Sequence, residues 1–228
     1  MIWAIGDTHF DHTKDKSMDI FGENWKDHDQ KIIDFWKENV KDDDLVLLVG
    51  DISWALKLEE ALVDLKMIDD LPGIKCIIKG NHDYWWSTKN KLEGLGLKTI
   101  HFLHNDAFVY KDYVIAGSRG WMARDSEDFS DEDEKIFNRE LGRLDLSLKA
   151  ARNQEGKKII CLIHYPPFDS KKEPNEFLQL MKNYDVSLCL YGHLHGPGHI
   201  MVKEGNFLNI NVKCVSSDYV DFKLQKID

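Results

Sequence analysis

The sequence predicts an α/β protein built around a mainly parallel sheet, with a second sheet of short antiparallel strands toward the C-terminus. Three observations carry this. Short apolar runs alternate with segments of helical spacing through the first two thirds of the chain, the pattern of βα units. Five of those runs end in a small polar cluster rich in Asp, His, Asn and Gly. Beyond Gly198 the helical spacing stops, and short strand-like stretches separated by turn residues take over.

The apolar runs Ile2–Ile5, Leu45–Val49, 74–79, Lys158–Ile163 and 186–191 are continuous and short enough to be strands buried on both faces. Residues 28–40 (HDQKIIDFWKENV) and 57–71 (KLEEALVDLKMIDDL) place apolar side chains at helical intervals, and Pro72-Gly73 stops the second. Asp131–Arg152 predicts a long exposed helix. The acidic residues 126–134 in front of it suit a solvated loop and a helix N-terminus that favours negative charge, with a partner-binding surface as the alternative.

Phe108–Tyr110 and 113–117 flank a Lys111-Asp112 turn and read as a hairpin. At the end of the chain, strands are expected at 199–203, 207–215 and 219–225, with turns at Glu204-Gly205-Asn206 and Ser216-Ser217-Asp218. The polar segment 10–25 is either a lid over a site or a surface loop. With no repeat and no linker-like tract, one domain over residues 1–228 is expected.

A chain of 228 residues with a formal net charge of -10 repels polyanions at long range, so extended nucleic acid is a disfavoured partner. Bound cations would reverse that sign locally. No apolar stretch approaches the length of about 20 residues needed to cross a bilayer, and a strand beginning at Ile2 leaves no room for a signal peptide. Cys76, Cys161, Cys189 and Cys214 all lie in apolar runs without a CxxC pair, which predicts reduced core thiols in a cytoplasmic protein.

The polar clusters are Gly6-Asp7-Thr8-His9, Gly50-Asp51, Gly80-Asn81-His82-Asp83, His164 and Gly192-His193-Leu194-His195. Each follows a predicted strand, so all five fall at the C-terminal edge, where open α/β sheets bind ligands. Asp7 with His9, and His193 with His195, stand two residues apart and can enter one cleft when the loop curls. Carboxylate and imidazole donors without thiolates suit Mn, Fe or Zn ions. Asp51, a single carboxylate after a glycine, is the natural bridge between two ions. Glycine before Asp51, Asn81 and His193 lets the backbone approach the metals.

These motifs, in this order from Gly6 to Gly196, resemble those of the calcineurin-like metallophosphoesterase superfamily: Asp-x-His, Gly-Asp, Gly-Asn-His-Asp, a lone His, and Gly-His-x-His. The resemblance implies a four-layer α/β/β/α sandwich of two mixed sheets flanked by helices. It also implies two divalent or trivalent metal ions, one held by Asp7, His9, Asp51 and His195, the other by Asp51, Asn81, His164 and His193. His82 would be the general acid beside the substrate, and the reaction would be phosphoester hydrolysis by a hydroxide bridging the cations.

The chain departs from the family pattern at one place. Many members continue Gly-Asp-x-x-Asp, and that second Asp orients the catalytic histidine; here the position is Trp54. Asp83 is expected to fix its loop through backbone hydrogen bonds, and Trp54 to wall the pocket or stack on a substrate ring. The absence of Arg-Gly after Trp54 argues against the Ser/Thr protein phosphatase branch.

Asn81 and Arg119 are the candidate substrate-binding residues. Arg119 would clamp the substrate phosphate, the alternative being an ion pair with the acidic loop that follows it. His12 and His28 are candidates for an outer shell but are better read as solvated or bonded to backbone. The same holds for His101, His104 and His199, with His199 near enough to His195 to support it. The leading functional expectation is a metal-dependent phosphoesterase acting on a small phosphorylated molecule. The runner-up is a phosphodiesterase or nuclease on short nucleic acids or nucleotides, where Trp54, Trp85, Trp86 or Trp121 would stack bases or else pack in the core. A metal-binding or metal-free interaction scaffold is the reading from another class.

Overall fold

Along the first strand, β1 (Ile2–Ile5), side chains alternate between two separate cores. Ile2 and Ala4 face one, while Trp3 and Ile5 face the other. The same division repeats in the strands that follow, which gives the molecule its layers. A computed structural model of the chain describes residues 1–13 and 18–228.

The remaining strands are β2 (Leu45–Val49), β3 (Ile74–Ile78), β4 (Ile100–Phe102), β5 (Phe108–Tyr110), β6 (Tyr113–Ser118), β7 (Lys158–Ile163), β8 (Leu188–Tyr191), β9 (Gly205–Phe207), β10 (Ile210–Cys214) and β11 (Gln225–Lys226). The helices are α1 (His28–Asn39), α2 (Leu58–Asp70), α3 (Lys89–Glu93), α4 (Asp131–Arg152) and α5 (Glu176–Lys182). One sheet has the order β11-β1-β2-β3-β4 and the other β5-β6-β7-β8-β10-β9. Inner pairs are parallel, and the antiparallel pairs β1–β11, β5–β6 and β9–β10 lie at edges, so both sheets are mixed.

Between the sheets, Ile2, Leu47, Val49 and Ile78 meet Ile115, Ile160, Leu162 and Leu190. On the outer face of the first sheet, Trp3, Val46 and Leu48 pack with Ile32 and Trp36 of α1 and Leu65 and Ile68 of α2. On the outer face of the second, Val114, Cys161 and Cys189 pack with Phe137, Leu144 and Leu148 of α4 and Phe177 and Met181 of α5. Each fully buried large aliphatic side chain stabilises by roughly 1.5–3 kcal/mol relative to exposure. The result is the expected four-layer α/β/β/α sandwich.

All four cysteines are buried and unbridged, with thiol pKa values pushed up by burial. Among the described residues no helix is long and apolar enough to cross a membrane. α4 starts as its sequence indicates. Ser130 caps it, accepting the Asp133 N–H at 3.3 Å, and acidic side chains fill the first turn.

The C-terminal expectations need correction. Residues 199–203, expected as a strand, fall largely within the 3-10 helix Gly196–Met201, which Pro197 favours by fixing φ near its start. The expected turn at 204–206 is largely strand β9, and the real hairpin turn is Leu208-Asn209, both at positive φ. Residues 219–225 pair only at Gln225, because hydrogen bonds from Tyr219 and Val220 N–H to the Ser216 carbonyl wind the chain into turns that drive Phe222 into the core. β10 also runs parallel to β8, so this region is not purely antiparallel. Within segment 10–25, residues 14–17 lie outside the described residues, and two 3-10 turns, Met18–Phe21 and Glu23–Trp25, follow them.

Candidate metal centre

Every predicted ligand lies on a loop leaving the C-terminal end of a strand: Asp7 and His9 after β1, Asp51 after β2, Asn81 after β3, His164 after β7, and His193 and His195 after β8. The loops are stitched to one another. Asp7 N–H donates to the Gly50 carbonyl at 2.9 Å and His9 N–H to the Asp51 carbonyl at 3.0 Å. Asp7, His9, Asp51 and His193 all have positive φ, at 57°, 45°, 52° and 75°. That conformation costs a non-glycine residue roughly 1–2 kcal/mol, and such strain gathers where surrounding structure fixes a functional geometry.

The side chains converge. Asp51 Oδ2 lies 3.3 Å from His164 Nε2 and 3.8 Å from His9 Nε2. Asn81 Oδ1 lies 2.7 Å from His164 Nε2 and 3.0 Å from His193 Nδ1, and Asp7 Oδ1 is 3.3 Å from His195 Nε2. Asp51 Oδ1 instead accepts the His82 backbone N–H at 2.8 Å. One oxygen of Asp51 therefore faces both halves of the site. Close approach needs glycine here: a Cβ on Gly80 would collide with Asp51 Oδ1, and one on Gly192 with Asp7 Oδ2.

The donor chemistry fits cations. In His164, Nδ1 faces the Val49 carbonyl at 3.0 Å, so it carries the proton and Nε2 turns a lone pair toward two more oxygens. In His195, Nδ1 is held by Asp218 Oδ1 at 2.8 Å while the buried Nε2 has no hydrogen-bond partner among the described residues. Acceptors facing acceptors need a positive species between them. Burial opposes charge on both rings, yet Asp51 and Asp7 outweigh it and raise the pKa of His164 to about 9, while Asp7 and Asp218 raise that of His195 to about 10. A metal ion replaces such a proton.

Burial pushes His9 down to about 3, and burial together with the neighbouring His164 does the same to His193. Both are thus neutral ligands in waiting. Two donor groups can hold an ion among the described residues: Asp7, His9 and His195, and Asp7, Asp51 and His164, the donor atoms of each lying within 4.8 Å.

A model of the calcineurin-like phosphoesterase family matches residues 1–197. The chain belongs to that family. It is 32% identical over 195 residues to the Gene 66 protein of Mycobacterium phage L5, a match covering 86% of this chain and 77% of that protein. A crystal structure of a protein of unknown function from Aquifex aeolicus has the same fold, with a TM-score of 0.52 and 17% identity over 98% of this chain and 94% of the other.

The residues that brace the candidate centre of this family member were only partly visible in its sequence. Asp83 does fix its loop, as expected: its carboxylate accepts the backbone N–H groups of Asp51 (2.9 Å), Ile52 (2.9 Å), Ser53 (3.3 Å) and Gly80 (2.7 Å) and the Trp85 indole N–H (3.0 Å). Burial and the Asp51 charge push its pKa up to about 6 against those donors. Asp218 was missed. It sits in a segment read only as a turn, and no local signal ties it to a histidine more than twenty residues earlier. His199 also reaches it, at 3.2 Å, so the two imidazoles share one carboxylate.

Trp54 walls the site. Its indole stacks on His9 with centroids 4.7 Å apart and touches the His82 ring at 4.6 Å. An aromatic face thus stands beside His82. Burial pushes the His82 pKa down. His28 braces the first loop from beneath, with Nε2 at 3.1 Å from the Thr8 carbonyl and 3.2 Å from that of His9.

The other candidates lie elsewhere. Arg119 does not pair with the acidic loop. It bonds Glu140 of α4 at 3.1 Å, stacks on Trp121, and lines a cavity beside the centre. His12 is bound to Asp64 at 3.3 Å, His101 lies 3.5 Å from Asp106, and His104 accepts from the Trp86 indole at 3.4 Å. Trp85 is core. Trp86 meets Phe102 edge-on and Trp121 meets Tyr165, so both are engaged within the protein.

Proposed function

We propose that this calcineurin-like phosphoesterase hydrolyses small phosphorylated molecules at a centre of two cations. The observation that carries the reading is the arrangement around Asp51 Oδ2, with His9 Nε2 on one side and His164 Nε2 on the other. In this reading Asp7, His9, Asp51 and His195 hold one ion and Asp51, Asn81, His164 and His193 the other. Bound cations of the Mn, Fe or Zn type would supply Lewis acidity to phosphoryl oxygens and lower the pKa of water to about 7.

The protein's own residues do the rest. The paired oxygens and nitrogens fix where the phosphoryl group sits, and Trp54 shuts water from one side. His82 is anchored through its backbone N–H to Asp51, which sets its ring beside the reacting phosphate. In its protonated form it would donate a hydrogen bond to the phosphate and then the proton to the departing oxygen, a contribution typically of about 10²–10⁴-fold.

Purified protein would be assayed for metal content and then with p-nitrophenyl phosphate against bis-p-nitrophenyl phosphate, which separates monoester from diester preference. Asp51→Asn and His164→Ala should each abolish turnover. Equal rates in parent and variants would sink the assignment, and an inactive parent replete with two metals would favour the scaffold reading.

A further inference from the structure

Beside the centre lies a cavity of about 430 Å³ that the mechanism proposed above does not use. Lys79, Arg119, Arg143 and Glu140 line it, with the hydroxyl-bearing Thr88 and Ser118. Three cations face one carboxylate, in a chain whose net charge is -10. Glu140, only 1% exposed, spends the same oxygen on both guanidinium groups, at 3.1 Å to Arg119 and 2.7 Å to Arg143. Lys79 makes no ion pair or side-chain hydrogen bond among the described residues. Arg119 Nε is buried and likewise has no partner among them. Three cations around one carboxylate leave the lining net positive, which favours an anion in the cavity.

The cavity is joined to the metal centre through the backbone. Lys79 stands two residues before Asn81, which puts their α-carbons no more than about 7 Å apart. The Arg119 carbonyl accepts the N–H groups of His164 at 3.1 Å and Tyr165 at 3.0 Å. Tyr165 spans the gap, its ring 4.1 Å from His193 on one side and 5.2 Å from Trp121, beneath Arg119, on the other. We propose that this cavity is an anion subsite and that the substrate carries a second phosphate group there, besides the one hydrolysed. The substrate class rests on the phosphoesterase reading; the anion site itself does not.

The test is calorimetric titration of α,ω-alkane diphosphonates of about four to eight carbons, against alkyl monophosphonates of equal length, into manganese-loaded and chelator-treated protein. These probes cannot be hydrolysed. In loaded parent the best diphosphonate should bind about tenfold tighter or more, the increment of one charge-assisted contact. Lys79→Met and Arg143→Met, on different elements, should each cut that advantage to within about threefold. Equal affinity for both probes in the parent, or an advantage that survives both substitutions, would overturn the subsite. If the protein proves inactive on phosphoesters, monophosphonate binding to the chelated parent that Lys79→Met removes still supports the anion site. Loss of diphosphonate preference in an active enzyme removes the subsite alone.

Discussion

Asp218 holds His195 in place: one carboxylate oxygen lies 2.8 Å from His195 Nδ1, and the other accepts the Gly196 backbone N–H at 2.8 Å. The pairing fixes the ring's tautomer and turns Nε2 toward Asp7. Carboxylates placed in this way raise ligand basicity and orientation together.

Replacing Asp218 by Asn should therefore weaken manganese binding by about 10–100-fold while the fold persists. Calorimetric titration with Mn²⁺, alongside circular dichroism, checks this. Unchanged affinity would mean that His195 needs no such support.

Asp83 gathers four backbone N–H groups and an indole N–H in the protein interior. Asp83→Ala strands them, and each buried donor left unpaired costs about 1–3 kcal/mol. The expected loss is at least 3 kcal/mol, roughly the cost of two such donors after relaxation. Urea denaturation with and without chelator measures it, and a loss that appears only in the metal-loaded protein would contradict a purely structural role.

Gly80→Ala sets a methyl group against Asp51 Oδ1 and the Asp51 backbone nitrogen. Asp51 must shift, and a displacement near 1 Å at a reacting centre costs about 10²-fold in rate. Metal stoichiometry by elemental analysis should fall together with turnover. Wild-type stoichiometry and turnover would show that the loop yields freely.

Lys75 provides a pH signature remote from the centre. Out of solvent in β3, it donates to the Leu71 carbonyl, to the Asp69 carbonyl at 3.2 Å and to Thr99 Oγ1 at 3.0 Å. Burial pushes its pKa from 10.5 down to about 8. Between those values the unfolded chain binds more protons than the folded one, so this group's contribution to stability rises with pH across that window. The stability of the parent minus that of Lys75→Met should climb by up to about 3 kcal/mol over that range. A flat difference in urea denaturation would refute it.

The ligand loops were legible because each combines a short apolar run with Gly, Asp, Asn or His immediately after it, a local pattern. Long helices were legible for the same reason: α1, α2 and α4 carry enough turns for their periodicity to register. α3 and α5, of 5 and 7 residues, are shorter than any window that reveals helical spacing. β4 and β11 are edge strands of 3 and 2 residues, defined by their partners rather than their own side chains. Arg119 was picked out as an anion-binding residue, but its location beside Glu140 and Lys79 depends on α4 and β3, which are distant in sequence.

By itself the sequence determined the α/β class, the strand edge at which chemistry gathers and the identity of the candidate ligands, because all of these follow from residue type and short-range order; the four layers came only as what the family resemblance implies. Only the tertiary structure decided which oxygen of Asp51 faces both halves, that Asp218 orients His195, that Trp54 flanks His82, and that three cations share a cavity with one carboxylate. Those relationships join segments far apart along the chain. Local propensity carries no information about such pairs until the two sheets pack and bring their loops to one edge.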